Sequence, residues 1–177
     1  MNDRLVLVRH AQAADNHPRG DHERVLTEQG VADATALGRW LAQQRLAPDH
    51  VLVSTAERAQ QTLAALRRGL GEDALEADQV WSERRLYDGG TDGVLAAVQE
   101  VPQDAQVLWV VGHEPVMSTT TWRLAGREAG SEDLLRRLDR GFPTATAAVL
   151  DVAGGWADLG PGGAPPLLLH TGRAEQS

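Results

Sequence analysis

Leu5-Val6-Leu7-Val8-Arg9-His10 is an unbroken run of four apolar residues followed at once by a cation and an imidazole. A short, continuous run of this kind reads as a strand buried on both faces, the form taken by a parallel sheet covered with helices. Outward from it, residues 11–25 are polar, contain Pro18 and Gly20, and read as a loop. Thr27 is placed to cap a helix over about 28–46, in which Val31, Ala34, Leu37 and Leu41 share a face and Ala47-Pro48 closes the end.

The same pattern repeats downstream. Val51-Leu52-Val53 reads as a second strand, and Ser54-Thr55-Ala56-Glu57 has the S-x-x-E form of a capping box opening a helix to about Arg68. Val80-Trp81 is a short third strand, residues 91–100 are a helix, and Val107-Leu108-Trp109-Val110-Val111 is the strongest strand of all. Gly112-His113-Glu114-Pro115 turns into a helix through about Leu124, and a short helix lies around 131–138. Ala145 to Val152 reads as a strand. Gly154-Gly155 followed by Trp156-Ala157-Asp158-Leu159 suggests a hairpin, and Leu167-Leu168-Leu169 a final edge strand or docked tail. Strand–helix alternation over residues 4–125 predicts an α/β fold. The expected form is a three-layer α/β/α sandwich with a mostly parallel sheet and an antiparallel edge, one domain over residues 1–177.

Composition narrows the chemistry. The 177 residues include no Cys, which removes disulfides, thiolate metal sites and cysteine nucleophiles. All 17 basic residues are Arg, which removes Schiff-base chemistry and a P-loop lysine. The net charge of −8, with no basic block, argues against nucleic acid and anionic membranes as partners. Residues 1–8 are too short an apolar stretch for a signal-peptide core, and no run approaches a membrane span, so a cytoplasmic location is expected.

In open α/β sheets, ligands bind beyond the carboxyl ends of the strands. Arg9-His10 follows the first strand, Ser54 to Arg58 the second, and Gly112-His113-Glu114 the fourth. Two imidazoles and two guanidiniums at one sheet edge form a donor set suited to a phosphate. A helix starting near Thr55 would add free backbone N–H groups.

These residues also carry a resemblance. Leu7-Val8-Arg9-His10-Ala11 resembles the R-H-G/A signature of the histidine phosphatase superfamily, and Ser54-Thr55-Ala56-Glu57-Arg58-Ala59-Gln60-Gln61-Thr62 its S-x-x-x-R-A-x-x-T segment. Val111-Gly112-His113-Glu114-Pro115 resembles its V-G-H-x-P, and Arg24-Val25-Leu26-Thr27-Glu28-Gln29-Gly30 its R-x-L-T-x-x-G. The matches fall in family order across about residues 4–152. The short chain and Arg9-His10-Ala11 resemble the SixA-like branch of phosphohistidine phosphatases, on a phosphoglycerate mutase-like fold. The chain departs from many members in having Thr55-Ala56 where they carry a Pro, and from the mutase-like branches in lacking large insertions.

The resemblance implies that His10 is a nucleophile forming a phosphohistidine intermediate, with Arg9, Arg58 and His113 on the phosphoryl oxygens and Arg24 as an outer phosphate contact. It calls for a neutral His10 beside an imidazolium at His113. Ser82-Glu83-Arg84-Arg85-Leu86-Tyr87 resembles the mutase-like segment that carries a proton donor, so Glu83 is the candidate acid and Asp88 the second choice. No metal or cofactor is implied, because the arginines supply the positive charge. The expected partner is a phosphorylated substrate, a phosphohistidine-carrying protein on the SixA-like reading. The alternatives are small sugar or nucleotide phosphates, and a phospho-binding module without turnover. Of the rest, His17, His22 and His50 read as loop or surface residues. Trp40, Trp81, Trp109 and Trp122 read as core, Trp156 as an edge cover, and Arg136, Arg137 and Arg140 as a solvated face.

Overall fold

Successive residues of β1 (Asp3–Arg9) enter two different cores. Leu5 and Leu7 join one apolar cluster, Val6 and Val8 another, and all four are fully buried. The same division holds in β2 (His50–Ser54), β4 (Val107–Gly112) and β5 (Thr146–Val152), where neighbours such as Leu108 and Trp109 go to opposite faces. A sheet whose strands are apolar on both faces must be covered on both. The computed structural model describes residues 2–71, 75–126 and 131–175. It shows α1 (Glu28–Gln43) and α2 (Glu57–Leu70) on one face. The other face carries α3 (Arg85–Asp88), α4 (Gly90–Gln99), α5 (Val116–Ala125) and α6 (Glu132–Asp139).

With β3 (Val80–Glu83) and β6 (Pro166–Thr171), the sheet has six strands in the order β3-β2-β4-β1-β5-β6. The first four are parallel, and β5 and β6 are each antiparallel to the preceding neighbour. The expected three-layer sandwich with an antiparallel edge is therefore the fold. The partner of β5 differs from the expected one. Trp156–Leu159 is not a strand; the chain crosses to Pro166–Thr171 to complete the hairpin. Trp156 is not an edge cover either. Its indole is fully buried and donates to the Ala105 carbonyl at 2.8 Å.

Other local expectations shift for identifiable reasons. Thr27 caps α1 as expected, its hydroxyl accepting from the Gly30 amide. The helix ends before Ala47-Pro48 because Arg45 turns left-handed (φ 59°). The Arg45 and Leu46 amides then return to the carbonyls of Ala42 and Leu41 in a Schellman closure. Ser54-Thr55-Ala56-Glu57 is not a capping box: Ala56 is the N-cap, and Ser54 belongs to β2. His50 is buried rather than a surface residue, and Trp81 is 39% exposed at the sheet edge, its ring meeting His50 edge-on.

α1 and α2 lie unusually close because glycines face backbone at the crossing. A Cβ on Gly38 would stand 2.2 Å from the Leu66 carbonyl oxygen, and one on Gly69 would stand 2.1 Å from that of Thr35. Gly38→Ala should force the helices apart at a cost of about 1–3 kcal/mol. In a chain of this size that lowers Tm by about 2–4 °C per kcal/mol. A thermal melt checks this, and an unchanged Tm would contradict the close packing.

Candidate active site

Strand register builds the site. β1 pairs with β4 through Arg9 opposite Gly112, and the ladder continues one step further as the His10 amide donates to the Gly112 carbonyl at 2.9 Å. β2 pairs with β4 through Val53 opposite Val111, so Ser54 stands beside the same strand end. His10, His113 and Ser54 thus project from three neighbouring strands at one sheet edge. The two imidazole centroids are 5.2 Å apart and tilted by 59°. His113 Nε2 and Ser54 Oγ are 2.7 Å apart.

His10 is 8% exposed, and its orientation is held from three directions. Its Nδ1 lies 2.7 Å from the Ala11 carbonyl oxygen, which assigns the proton to Nδ1 and leaves Nε2 unprotonated, a lone-pair acceptor. Arg58 Nε points at that lone pair from 3.3 Å. The Ala11 amide donates to Thr62 Oγ1 at 3.0 Å, tying the turn after His10 to α2. On the far side, the Thr27 amide bonds the Gln12 carbonyl at 3.0 Å. Gly30 leaves room for that carbonyl, since a Cβ there would meet it at 2.1 Å.

Arg58 sits in the first turn of α2, 5% exposed, where a cation opposes the helix dipole unless an anion answers it. The answer is Asp21, from the 3-10 turn Asp21–Glu23. Arg58 Nη1 donates to the Asp21 carbonyl at 2.8 Å, and Nη2 to its carboxylate at 3.1 Å. Arg24 Nε (2.9 Å) and the Tyr87 hydroxyl (3.0 Å) donate to the same carboxylate. Partial burial works to raise the Asp21 carboxyl, but the Tyr87 hydroxyl, Arg58 and Arg24 outweigh it and hold it below the usual range. The Tyr87 ring stands edge-on to both His113 and His22, at centroid distances of 5.7 and 4.8 Å. His22 is thus part of the rim, with Nε2 3.0 Å from Thr55 Oγ1.

Arg9 leaves the opposite face of β1. Its Nη1 donates to the Phe142 carbonyl at 2.6 Å, while its Nε is buried without a partner. Glu114 grips the same residue: its Oε2 accepts from the Phe142 amide at 3.1 Å and from the Ser118 hydroxyl at 2.7 Å. The segment between α6 and β5 is therefore fastened to the strand ends that carry His10 and His113.

Both rings are held neutral, and for the same reasons. Burial pushes His10 down to about 4, with Arg58, Arg9 and Arg24 adding to the effect and the bond to Ala11 opposing it. Burial likewise pushes His113 down to about 3, with His10 and Arg58 adding and Asp21 opposing. The expected imidazolium at His113 is therefore absent from this arrangement: burial outweighs the one facing carboxylate. His113 Nδ1 is buried without a hydrogen-bond partner.

Of the sequence candidates, the structure brings together His10, Arg9, Arg58 and His113, with Arg24 one step out through Asp21. Glu83 stands at the end of β3 in register with Ser54, and both it and Asp88 are engaged by arginines. Glu83 is paired with Arg85 Nε at 2.6 Å, and Arg85 also holds Glu100 through both terminal nitrogens. Asp88 pairs with Arg84 at 2.9 Å. Sequence reasoning missed Asp21, and it gave no role to Tyr87, Thr62 or Glu114. The one local signal for Asp21 was its spacing three residues before Arg24.

The sequence matches the family model "Histidine phosphatase superfamily (branch 1)" over residues 5–90. The uncharacterized protein Rv1276c of Mycobacterium tuberculosis is 37% identical over 166 residues, covering 94% of this chain and all of the relative. A solved structure from Nakamurella multipartitia, described as a "putative phosphohistidine phosphatase SixA", is 40% identical with a TM-score of 0.82, covering 97% of each chain. One from Agrobacterium tumefaciens with the same description is 33% identical with a TM-score of 0.72, covering 86% of this chain and 93% of that one. The chain belongs to the histidine phosphatase superfamily. Membership makes it a hydrolase of the phosphatase class with a phosphoglycerate mutase-like fold. Among the described residues, no group of three or more His, Asp and Glu is arranged to hold a metal, and no helix is long and apolar enough to cross a membrane.

The two neutral imidazoles carry a signature in stability. An unfolded His takes up its proton near pH 6.5, whereas His10 in the fold waits until about 4 and His113 until about 3. Between those limits the unfolded chain binds more protons, so stability is lost as pH falls from about 6.5 towards 4, by up to about 1.4 kcal/mol per pH unit for each ring. Denaturant unfolding over that window, with His10→Ala and His113→Ala as comparisons, measures the slope. A flat profile would contradict the neutral pair.

Proposed function

We propose that this phosphatase is metal-independent and removes the phosphoryl group from phosphohistidine carried by a cytoplasmic protein, through a phosphohistidine intermediate on His10. The observation that carries this reading is the neutral His10, its Nε2 unprotonated and accepting from Arg58, with guanidiniums around it. A neutral imidazole nitrogen is nucleophilic at pH 7, and splitting one displacement into two lowers the barrier of each.

His10 Nε2 attacks phosphorus in line as the bond to the leaving group breaks, the electron pair going to that group. Arg58 turns its N–H groups from Nε2 and Asp21 to the phosphoryl oxygens, and Arg9 and His113 take the others. The incoming dianion supplies the negative charge that His113 otherwise lacks and raises its proton affinity, which turns a neutral ring into a charged donor when it is needed. Water then attacks the phosphorylated His10, its protons leave with inorganic phosphate, and Nε2 regains its lone pair.

The pairing of the carboxylates supports phosphohistidine over an alkyl ester. An alkoxide leaving group needs a positioned acid. Glu83, Asp88 and Asp21 are each paired with a guanidinium, at 2.6, 2.9 and 3.1 Å, so none stands as an unengaged acid. A phosphohistidine ring takes a proton from solvent on its second nitrogen near neutral pH, so it departs as a neutral imidazole with the P–N electron pair and needs no acid positioned at the leaving atom. The 40% and 33% identical structures described as putative phosphohistidine phosphatases support the same choice.

His10→Ala should abolish phosphate release from an aryl phosphate measured with a chelator present; retained turnover would end the His10 mechanism. Glu83→Gln should leave phosphohistidine and aryl phosphate turnover within about twofold of wild type. Selective slowing of alkyl phosphates would instead restore Glu83 as an acid. A panel of a phosphohistidine protein, sugar phosphates and nucleotides, read as phosphate release, tests the substrate class.

A further inference from the structure

Beside the candidate active site, on the α6 side of the sheet, lies a cavity of about 360 Å³. Three guanidiniums, Arg9, Arg137 and Arg140, line it together with Phe142, Pro143 and Leu169. Among the described residues, none of the three has a carboxylate within salt-bridge distance. Arg136, on the same helix, is turned instead to Glu132 and Asp133, at 4.0 and 3.8 Å. Burial lowers the Arg9 guanidinium from its ordinary value and Glu114 only partly opposes this; the Glu114 oxygens are occupied by Ser118 and the Phe142 amide.

This concentration of unanswered positive charge is unusual in a chain of net charge −8. Arg137 is fixed in place, its Nη2 donating to the Leu169 carbonyl of β6 at 2.8 Å. β6 is the last strand of the sheet, and it presents Leu167 and Leu168 at 46% and 43% exposure. An exposed apolar edge strand is a surface that proteins either blunt or use to receive a partner. The cavity and the edge strand meet at Leu169.

We propose that the Arg9–Arg137–Arg140 cavity is an anion subsite that receives an acidic side chain flanking the phosphorylated residue of a polypeptide substrate. The proposal rests on the phosphohistidine-protein reading above and gives it a recognition element. Arg9 joins the two sites: its backbone is paired to β4 beside His10, and its guanidinium forms one wall of the cavity. An acidic residue seated there is fixed relative to the scissile phosphoryl group by a single side chain. Attraction of this kind acts on encounter and register more than on raw affinity.

The test uses four synthetic peptides of one length: phosphohistidine or phosphoserine at the centre, each with flanking Glu or flanking Gln. An aryl phosphate serves as a substrate too small to reach the cavity. The wild-type chain should show a kcat/KM about fivefold or more higher for Glu-flanked than for Gln-flanked peptide, shrinking at high salt. In Arg137→Gln/Arg140→Gln that preference should vanish, with aryl phosphate turnover unchanged. Arg140→Gln alone, which removes no hydrogen bond seen in the fold, should weaken the preference without altering Tm. A Glu preference confined to the phosphoserine pair keeps the subsite and ends the phosphohistidine reading. Equal kcat/KM for Glu- and Gln-flanked peptides in wild type, or a preference that survives in the double variant, overturns the subsite.

Discussion

The hydrogen bond from the His10 amide to the Gly112 carbonyl extends the β1–β4 ladder one step past the strands, and the site is organised around it. It sets His10 and His113 at the ends of adjacent parallel strands, too close for both rings to be charged. The clamps around His10 serve the same geometry. Thr62 reaches back from α2 to the Ala11 amide, and Gly30 admits the Gln12 carbonyl against α1. Two helices that would otherwise only cover the sheet therefore also fix the direction of one imidazole.

Electrostatics then follow from burial. A chain of net charge −8 repels a phosphate at long range, so attraction has to be made locally. Arg58 shows what this demands, because it is nearly inaccessible and still has to be a cation. An ammonium in that position would be driven towards neutrality by desolvation, whereas a guanidinium keeps its charge and spreads it over a planar fork. Its Nε, Nη1 and Nη2 are all engaged, the first by His10 and the others by Asp21. Asp21 in turn is shared with Arg24 and Tyr87. On the proposed mechanism, a phosphoryl group entering the site would compete with an existing carboxylate for the Arg58 donors.

The parts of this arrangement that were readable in advance are those set by backbone periodicity. Apolar runs ending in Arg9-His10, Ser54 and Gly112-His113 mark strand ends, and a parallel sheet places strand ends together. What could not be read depends on how loops fold back. Asp21 lies in a polar stretch with no periodicity, and its meeting with Arg58 follows from the path of residues 11–25 over the sheet edge. The protonation of His113 also escaped sequence reasoning, since motif position says nothing of burial. Glu83 was placed by a resemblance in a short segment, and its pairing with Arg85 is decided by a side chain two residues away. The hairpin partner of β5 was misplaced because Trp156 looked like a strand residue, whereas its indole fills a core gap at Ala105.

Phe142 links the chemistry of the site to its surroundings. Its carbonyl is held by Arg9 and its amide by Glu114, the residues beside His10 and His113 respectively. Gly141 before it is left-handed (φ 73°), and a Cβ there would press on Glu114 Oε2 at 3.0 Å. The chain between α6 and β5 is thereby set by the same two strand ends that present the imidazoles. A displacement of that segment would act on both strand ends at once, through the Arg9 Nη1 bond and the Glu114 Oε2 bond. The Arg9 Nε is buried without a partner, while the guanidinium also borders the adjoining cavity. Arg9 therefore stands where the proposed anion subsite and the proposed phosphoryl site would have to agree.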